Sequence, residues 1–158
     1  MMNGKLGVLL LGLSGTFFVA CGEEEGSPEP RILVEDPWAR AMPLPEGGGE
    51  YETNSALYFT VRNEGRGGDR LTGGTTPVAR ALEVHESYLE DDLMKMRKVG
   101  SLELPPSSRI EFEPGGLHIM LLGLSRPLAA GEEFEVTLQF DVSGPTVVPV
   151  PVLGPGGR

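Results

Sequence analysis

His85, Met96, His118 and Met120 are the residues of this sequence whose types and spacing could do chemistry. They comprise both histidines and two of the six methionines. His118 and Met120 lie two apart inside Leu117–Leu122, a run that is otherwise apolar. On an extended strand their side chains leave the same face. Met94 and Met96 share a face on the same condition. Two imidazoles and two thioethers suit a soft monovalent metal, because thioethers select Cu(I) and imidazole also accepts copper. All four groups are neutral, so a bound Cu(I) keeps a single positive charge, which an acidic chain favours. Calcium and magnesium want oxygen ligands. Zinc draws on more His, Cys or carboxylate. A blue-copper centre for electron transfer needs a cysteine thiolate. The competing reading is a plain all-β domain in which each His is a satisfied polar residue and Met within Leu117–Leu124 is ordinary packing.

The rest of the composition narrows the choice. With 158 residues there is room for about one domain. The formal net charge of -10 argues against nucleic acid, whose phosphates it would repel. One cysteine excludes an intrachain disulfide and any Cys-rich zinc or iron–sulfur site. No Ser–His–Asp arrangement and no phosphate-cradling glycine loop is visible, so no enzymatic turnover is expected.

The first residues read as a targeting segment. After Lys5, Leu6–Ala20 is a fifteen-residue uncharged run. That is short of the roughly 20 residues of a membrane span and matches a signal-peptide core. A small residue, Ala20, stands directly before Cys21, which resembles a bacterial lipoprotein signal. Residues 1–20 are therefore expected to be a signal peptide, with Cys21 the site of lipid attachment. A plain secretory signal or an uncleaved anchor is the alternative. Residues 21–31 carry Glu23, Glu24, Glu25 and Glu29 among Gly, Ser and Pro, and read as a solvated acidic tether. The expected location is the extracytoplasmic face of a bacterial membrane, on the periplasmic side if there are two membranes. Two or three acyl chains at Cys21 would hold the protein stably in membrane lipid.

The elements that must position the four residues follow from a period-two pattern. Ile32 and Val34 open a strand. Leu57, Phe59 and Val61 alternate with Ala56, Tyr58 and Thr60; Leu82 and Val84 alternate with Glu83 and His85. Ile110 and Phe112 mark another strand, and Phe134, Val136, Leu138 and Phe140 give the cleanest one. Leu117–Leu122 reads as a central strand. Val147–Val152 reads as a last strand that Pro149 and Pro151 push to an edge. With 23 glycines and 14 prolines, turns are frequent; Gly73-Gly74 and Gly115-Gly116 are two such signals. Asp91–Met96 could form one helical turn, and Met42–Glu50 is expected to be a flexible loop. About seven to nine short strands describe an all-β sandwich or small Greek-key barrel over residues 32–152, followed by a Pro/Gly tail at 153–158.

His85, Met96 and His118-Ile119-Met120, at these separations, resemble the signature of the PCuAC family of periplasmic copper chaperones. The flanks are similar as well: Asp36-Pro37-Trp38-Ala39-Arg40, Asn63 with Gly65, Asp69-Arg70-Leu71, Val84-His85-Glu86, Met94-Lys95-Met96-Arg97, Pro114-Gly115-Gly116 and Gly123–Leu128. The resemblance covers about residues 32–142. It implies a cupredoxin-like β-barrel that binds Cu(I) at one end through His85, Met96, His118 and Met120. It implies delivery of copper toward the binuclear centre of cytochrome c oxidase. The recipient would be the subunit II copper domain, reached directly or through a thiol-containing assembly protein. Two departures stand out. There is no His/Met-rich tail after the domain, and Glu86-Ser87-Tyr88 stands where many members carry a further Met. Copper buffering without delivery, and a structural or interaction lipoprotein with no metal, are the competing functions.

Within that reading His118 and Met120 form the rigid half of the site, His85 comes from a neighbouring strand, and Met96 from the end of a mobile connection. Met94 is packing or a spare thioether. Glu86 points away from His85. Trp38 is a core or rim anchor, and Asp69 and Arg70 pair or cap a turn.

Overall fold

Alternation of apolar and polar side chains gives nearly every strand one face for a shared core. The computed structural model describes residues 28–43, 53–154 and 156–157. The expected signal peptide, Cys21, most of the tether and residues 44–50 of the early loop lie outside the described residues. The strands are β1 (Ile32–Arg40), β2 (Ser55–Asn63), β3 (Asp69–Thr75), β4 (Ala79–Glu90) and β5 (Leu93–Lys98). They continue with β6 (Leu102–Leu104), β7 (Arg109–Phe112), β8 (Leu117–Leu124), β9 (Glu133–Phe140) and β10 (Gly144–Leu153). No helix occurs among the described residues, as the all-β expectation required.

The strands form one sheet in the order β5-β4-β8-β2-β1-β10-β9-β3-β6, with β7 also paired to β2. The sheet bends but does not close; β5 and β6 are its edges. β8 and β7 follow one another along the same side of β2, at Ser55–Leu57 and Phe59–Arg62 respectively. β3 lies against β4 without pairing to it, so the two halves of the sheet face each other. Leu57, Phe59, Val84, Ile119 and Leu121 from one half meet Leu71, Val136, Leu138, Phe140 and Val150 from the other in one core.

Three local expectations change. Gly73 and Gly74 are part of β3 and not a turn. Gly73 has φ 142°, the pairing with β9 shifts register there, and a Cβ on Gly74 would meet the Thr137 carbonyl at 2.5 Å. Close approach of β9, and not chain reversal, demands glycine here. β10 is not an edge strand, since it lies between β1 and β9. Its pairing to β1 is confined to Val152 and Leu153, whereas Gly144–Pro151 pairs with β9 alone. Residue 152 exchanges hydrogen bonds with Gly131 and Glu132. The even residues therefore bond toward β9, and the missing amides of Pro149 and Pro151 fall on the unpaired side. Finally, Asp91 and Asp92 have φ 52° and 60° and make a two-residue hairpin between β4 and β5, which replaces the expected helical turn.

Asp69 caps a turn, as expected of it. It is 5% exposed, and its carboxylate accepts from the amides of Arg70, Val142 and Ser143 at 2.7, 2.9 and 3.0 Å. Burial alone would raise its pKa, but the Ser143 hydroxyl and these amides outweigh it and hold the group below its ordinary value of 3.8. A depressed folded pKa contributes stability that is fully present above the unfolded value and is lost as pH falls through the folded one. Asp69→Asn should therefore cost about 1–3 kcal/mol at neutral pH. The gap between the two proteins should narrow below about pH 4. Urea unfolding at pH 7 and pH 3 checks this; an unchanged gap at pH 3 rejects the ionised Asp69 as its cause.

Candidate metal centre

β4 and β8 are antiparallel, with His85 directly across from His118 and Glu83 across from Met120. Directly opposed residues project to the same side. β5 sets Met96 opposite Ser87 and Lys98 opposite His85. β2 adds Ala56 opposite Met120. Leu82, Val84, Ile119 and Leu121 are buried on the core side of the same strands. Alternation thus gathers His85, Met96, His118 and Met120 on the face turned away from the core, near the start of β8.

Met96, His118 and Met120 line a cleft of about 280 Å3 together with Tyr58, Ser87 and Arg40. His85 is not on the cleft wall, but its ring centre lies 6.1 Å from that of His118. Two imidazoles bound to one ion at about 2 Å have centres up to roughly 6 Å apart. The observed separation is at the wide end of that range.

The state of each ring follows from its neighbours. His118 is 4% exposed, and its Nδ1 lies 3.0 Å from the Gly116 carbonyl. A carbonyl only accepts, so Nδ1 carries the hydrogen, and in the neutral ring Nε2 keeps the lone pair. His85 Nε2 lies 3.0 Å from Glu83 Oε2, while its Nδ1 is buried with no hydrogen-bond partner. Lys98, first, and then His85 hold the Glu83 carboxyl below its ordinary pKa of 4.5, so it is ionised and accepts. In its neutral form each ring therefore keeps one nitrogen lone pair, on Nε2 of His118 and on Nδ1 of His85. Among the described residues no group of three His, Cys, Asp or Glu is placed to hold a metal. Among these residues a hard or zinc-type ion finds no oxygen- or nitrogen-rich cage, and the donor set of the cleft fits a thioether-tolerant ion.

The surroundings are packed on one side and open on the other. Asp36 has φ 53°, and the β1–β2 register shifts between Glu35 and Trp38. This bulge at Asp36-Pro37 sets Trp38 opposite Tyr58, where their ring centres are 4.5 Å apart. Tyr58 in turn lies 6.4 Å from the His118 ring, and the Arg40 guanidinium sits 6.0 Å from the Tyr58 centre. Trp38 is thus the buried anchor of the His118 side. On the open side, Met96 and Met94 are 52% and 61% exposed.

Two expectations about this region change. Met96 lies on a regular edge strand in full register with β4, and not at the end of a connection. Met94 is too exposed to be packing. Glu86 does point away from His85 and pairs with Arg97 at 2.6 Å. Sequence reasoning singled out neither Tyr58, Arg40 and Ser87 on the cleft nor Glu83 and Lys98 behind His85. Only the period-two spacing of Glu83 and His85 hinted at a shared face.

Residues 32–152 match the sequence family described as "Putative lipoprotein LpqE-like". "Putative lipoprotein Lxx21020" of Leifsonia xyli subsp. xyli (strain CTCB07) is 33% identical over 147 residues, 91% of this chain and 84% of its own length. A solved structure titled "Copper-bound PCuAC domain from PmoF2" is 31% identical, with TM-score 0.62, over 78% of this chain and 93% of that one. The "Solution structure of CuI-DR1885 from Deinococcus Radiodurans" is 25% identical, with TM-score 0.55, over 85% of each chain.

Proposed function

This chain belongs to the LpqE-like lipoprotein family, with a PCuAC domain of cupredoxin-like β fold, and from that premise we propose that it is an extracytoplasmic, lipid-anchored Cu(I) chaperone. His85, Met96, His118 and Met120 bind the ion. The observation that carries this reading is the pair of facing imidazoles, His85 with a buried, unpartnered Nδ1 and His118 tied through its own Nδ1 to a carbonyl, beside two thioethers on one sheet face. Similarity to domains solved with copper bound supports it.

The division of labour follows from burial. His118 is locked by the Gly116 carbonyl and backed by Tyr58. Met120 shares its strand. These two hold the ion in place. Met96, half exposed on an edge strand, is the ligand an incoming acceptor displaces first. Copper then leaves by ligand exchange, never passing free through water, toward the subunit II copper domain of cytochrome c oxidase or a thiol-containing assembly protein. The chain carries cargo and catalyses no reaction. Cys21 holds it to lipid on the outer side of the membrane.

Two measurements test this. Anaerobic titration against a competing chelator should give one tight Cu(I) equivalent. Mixing the loaded protein with an isolated soluble binuclear copper domain should transfer that copper. Tight binding with no transfer to this domain or to a thiol partner would turn the reading to copper buffering. Met96→Leu should keep the fold, weaken binding and release Cu(I) roughly tenfold faster, a difference of about 1.4 kcal/mol. Stopped-flow transfer reads this directly; unchanged affinity together with unchanged transfer would remove Met96 from the site.

A further inference from the structure

We propose that Glu83, clamped by Lys98, is a positioning residue that presents Nδ1 of His85, and not Nε2, as the metal-binding nitrogen. This rests on the copper reading above. Glu83 precedes His85 by two residues on β4 and shares its face. Its Oε2 takes the His85 Nε2–H at 3.0 Å, and its Oε1 takes Lys98 Nζ at 2.6 Å. Lys98 is the residue directly across from His85 on β5. The clamp therefore spans both strands of the hairpin and fixes the carboxylate on each oxygen.

Three consequences follow. First, the carboxylate that accepts from Lys98 on one oxygen accepts from His85 Nε2 on the other, so the neutral His85 ring is held as the Nε2–H form. Second, the lone pair then sits on Nδ1, which is buried and has no partner in the protein. A buried acceptor left unpaired is costly and calls for an occupant. The His118 ring, the other half of the pair, lies 6.1 Å away. Third, both Glu83 oxygens are occupied, so an acidic side chain next to the site does not turn it into an oxygen-ligand site. Metal-bound histidines generally give their second N–H to a carboxylate or carbonyl, which fixes the tautomer and orients the ring. Here Glu83 does this for His85 and the Gly116 carbonyl does it for His118.

The alternative is that copper takes Nε2 of His85 and must first displace Glu83. The two differ in sign. If Glu83 positions the ring, Glu83→Leu weakens Cu(I) binding by about 10–100-fold. If Glu83 competes, the same change tightens it. Long-range 15N–1H NMR on the metal-free protein should show the Nε2–H tautomer for His85, and Cu(I) should move the Nδ1 resonance. Glu83→Gln keeps one oxygen acceptor for the His85 Nε2–H but loses the one that holds Lys98, and should recover part of the lost affinity. Glu86→Gln, on the opposite face, should stay within about twofold of the parent, a change too small to reflect a lost partner of the site. Binding that tightens or stays within twofold in Glu83→Leu, or an Nδ1–H tautomer in the parent, overturns the proposal. Should Glu83→Leu fail to fold, the parent tautomer and Glu83→Gln still decide. If the parent binds no Cu(I), the functional reading falls, and the tautomer alone then decides the role of Glu83 on the ring.

Discussion

His118→Ala should lose the tight Cu(I) equivalent, with affinity falling by more than about 100-fold. Removing an outer partner of a ligand already costs about 10–100-fold, and His118 would be a ligand itself. It is also the best-fixed of the four, being 4% exposed, tied to the Gly116 carbonyl, and backed by Tyr58 and Trp38. None of the other three has all of these restraints, so none can move in to replace it. The side chain lies outside the apolar core, so the variant should remain folded, at a cost within the usual 0.5–3 kcal/mol of a single substitution. Competition with a Cu(I) chelator and a thermal melt together read the result. A stoichiometry that survives the change in a folded protein would discard the ligand set.

The largest effect on stability is expected at Asn63, at the other end of β2. Its side chain is 1% exposed and fully bonded. Oδ1 accepts from the amides of Arg31 and Gly65, both at 3.0 Å. Nδ2 donates to the carbonyls of Gly67 and Leu104 at 2.8 and 3.0 Å. One amide thus joins the start of β1, the turn after β2 and the end of β6. Gly67 packs so closely on Pro28 that a Cβ there would strike its carbonyl. Asn63→Ala strands four backbone groups, each worth about 1–3 kcal/mol when buried and unpaired. Allowing for water reaching some of them, about 3–5 kcal/mol should be lost, a large share of the 5–15 kcal/mol of an ordinary domain. Asn63→Asp keeps the shape but loses both donors, and should be nearly as damaging. Urea unfolding measures both; a loss under about 1 kcal/mol would mean that water substitutes fully for the amide. The metal face should not feel the change. Asn63 and Ala56 are separated along β2 by roughly 24 Å at about 3.4 Å per residue, so the folded fraction should bind Cu(I) as before.

How much of this was legible in advance depends on whether a signal is local. The strict alternation in 133–140 and 57–61 gave both the strands and their core faces. The His118-Ile119-Met120 spacing was enough to put both donors on one side. By contrast, Gly73-Gly74 reads as a turn unless one knows that β9 passes close by. Pro149 and Pro151 read as an edge unless one knows which side of β10 is unpaired. Asp91-Asp92 is an unusual pair for a hairpin that needs positive φ at both positions, though Asp tolerates it better than most residues.

The sequence by itself determined the kind of chemistry and the fold class. Side-chain types decide which ion can be held, since thioether and imidazole softness is a property of the residue. Period-two alternation decides that strands will form, since each side chain's direction depends only on its own backbone. Only the tertiary structure decided that β4 and β8 pair with His85 against His118, and that β5 brings Met96 to the same face. It alone decided that Glu83 and Lys98 leave Nδ1 of His85 bare. Register, tautomer and unmet hydrogen bonds belong to pairs of groups far apart in the chain, and no local pattern encodes them.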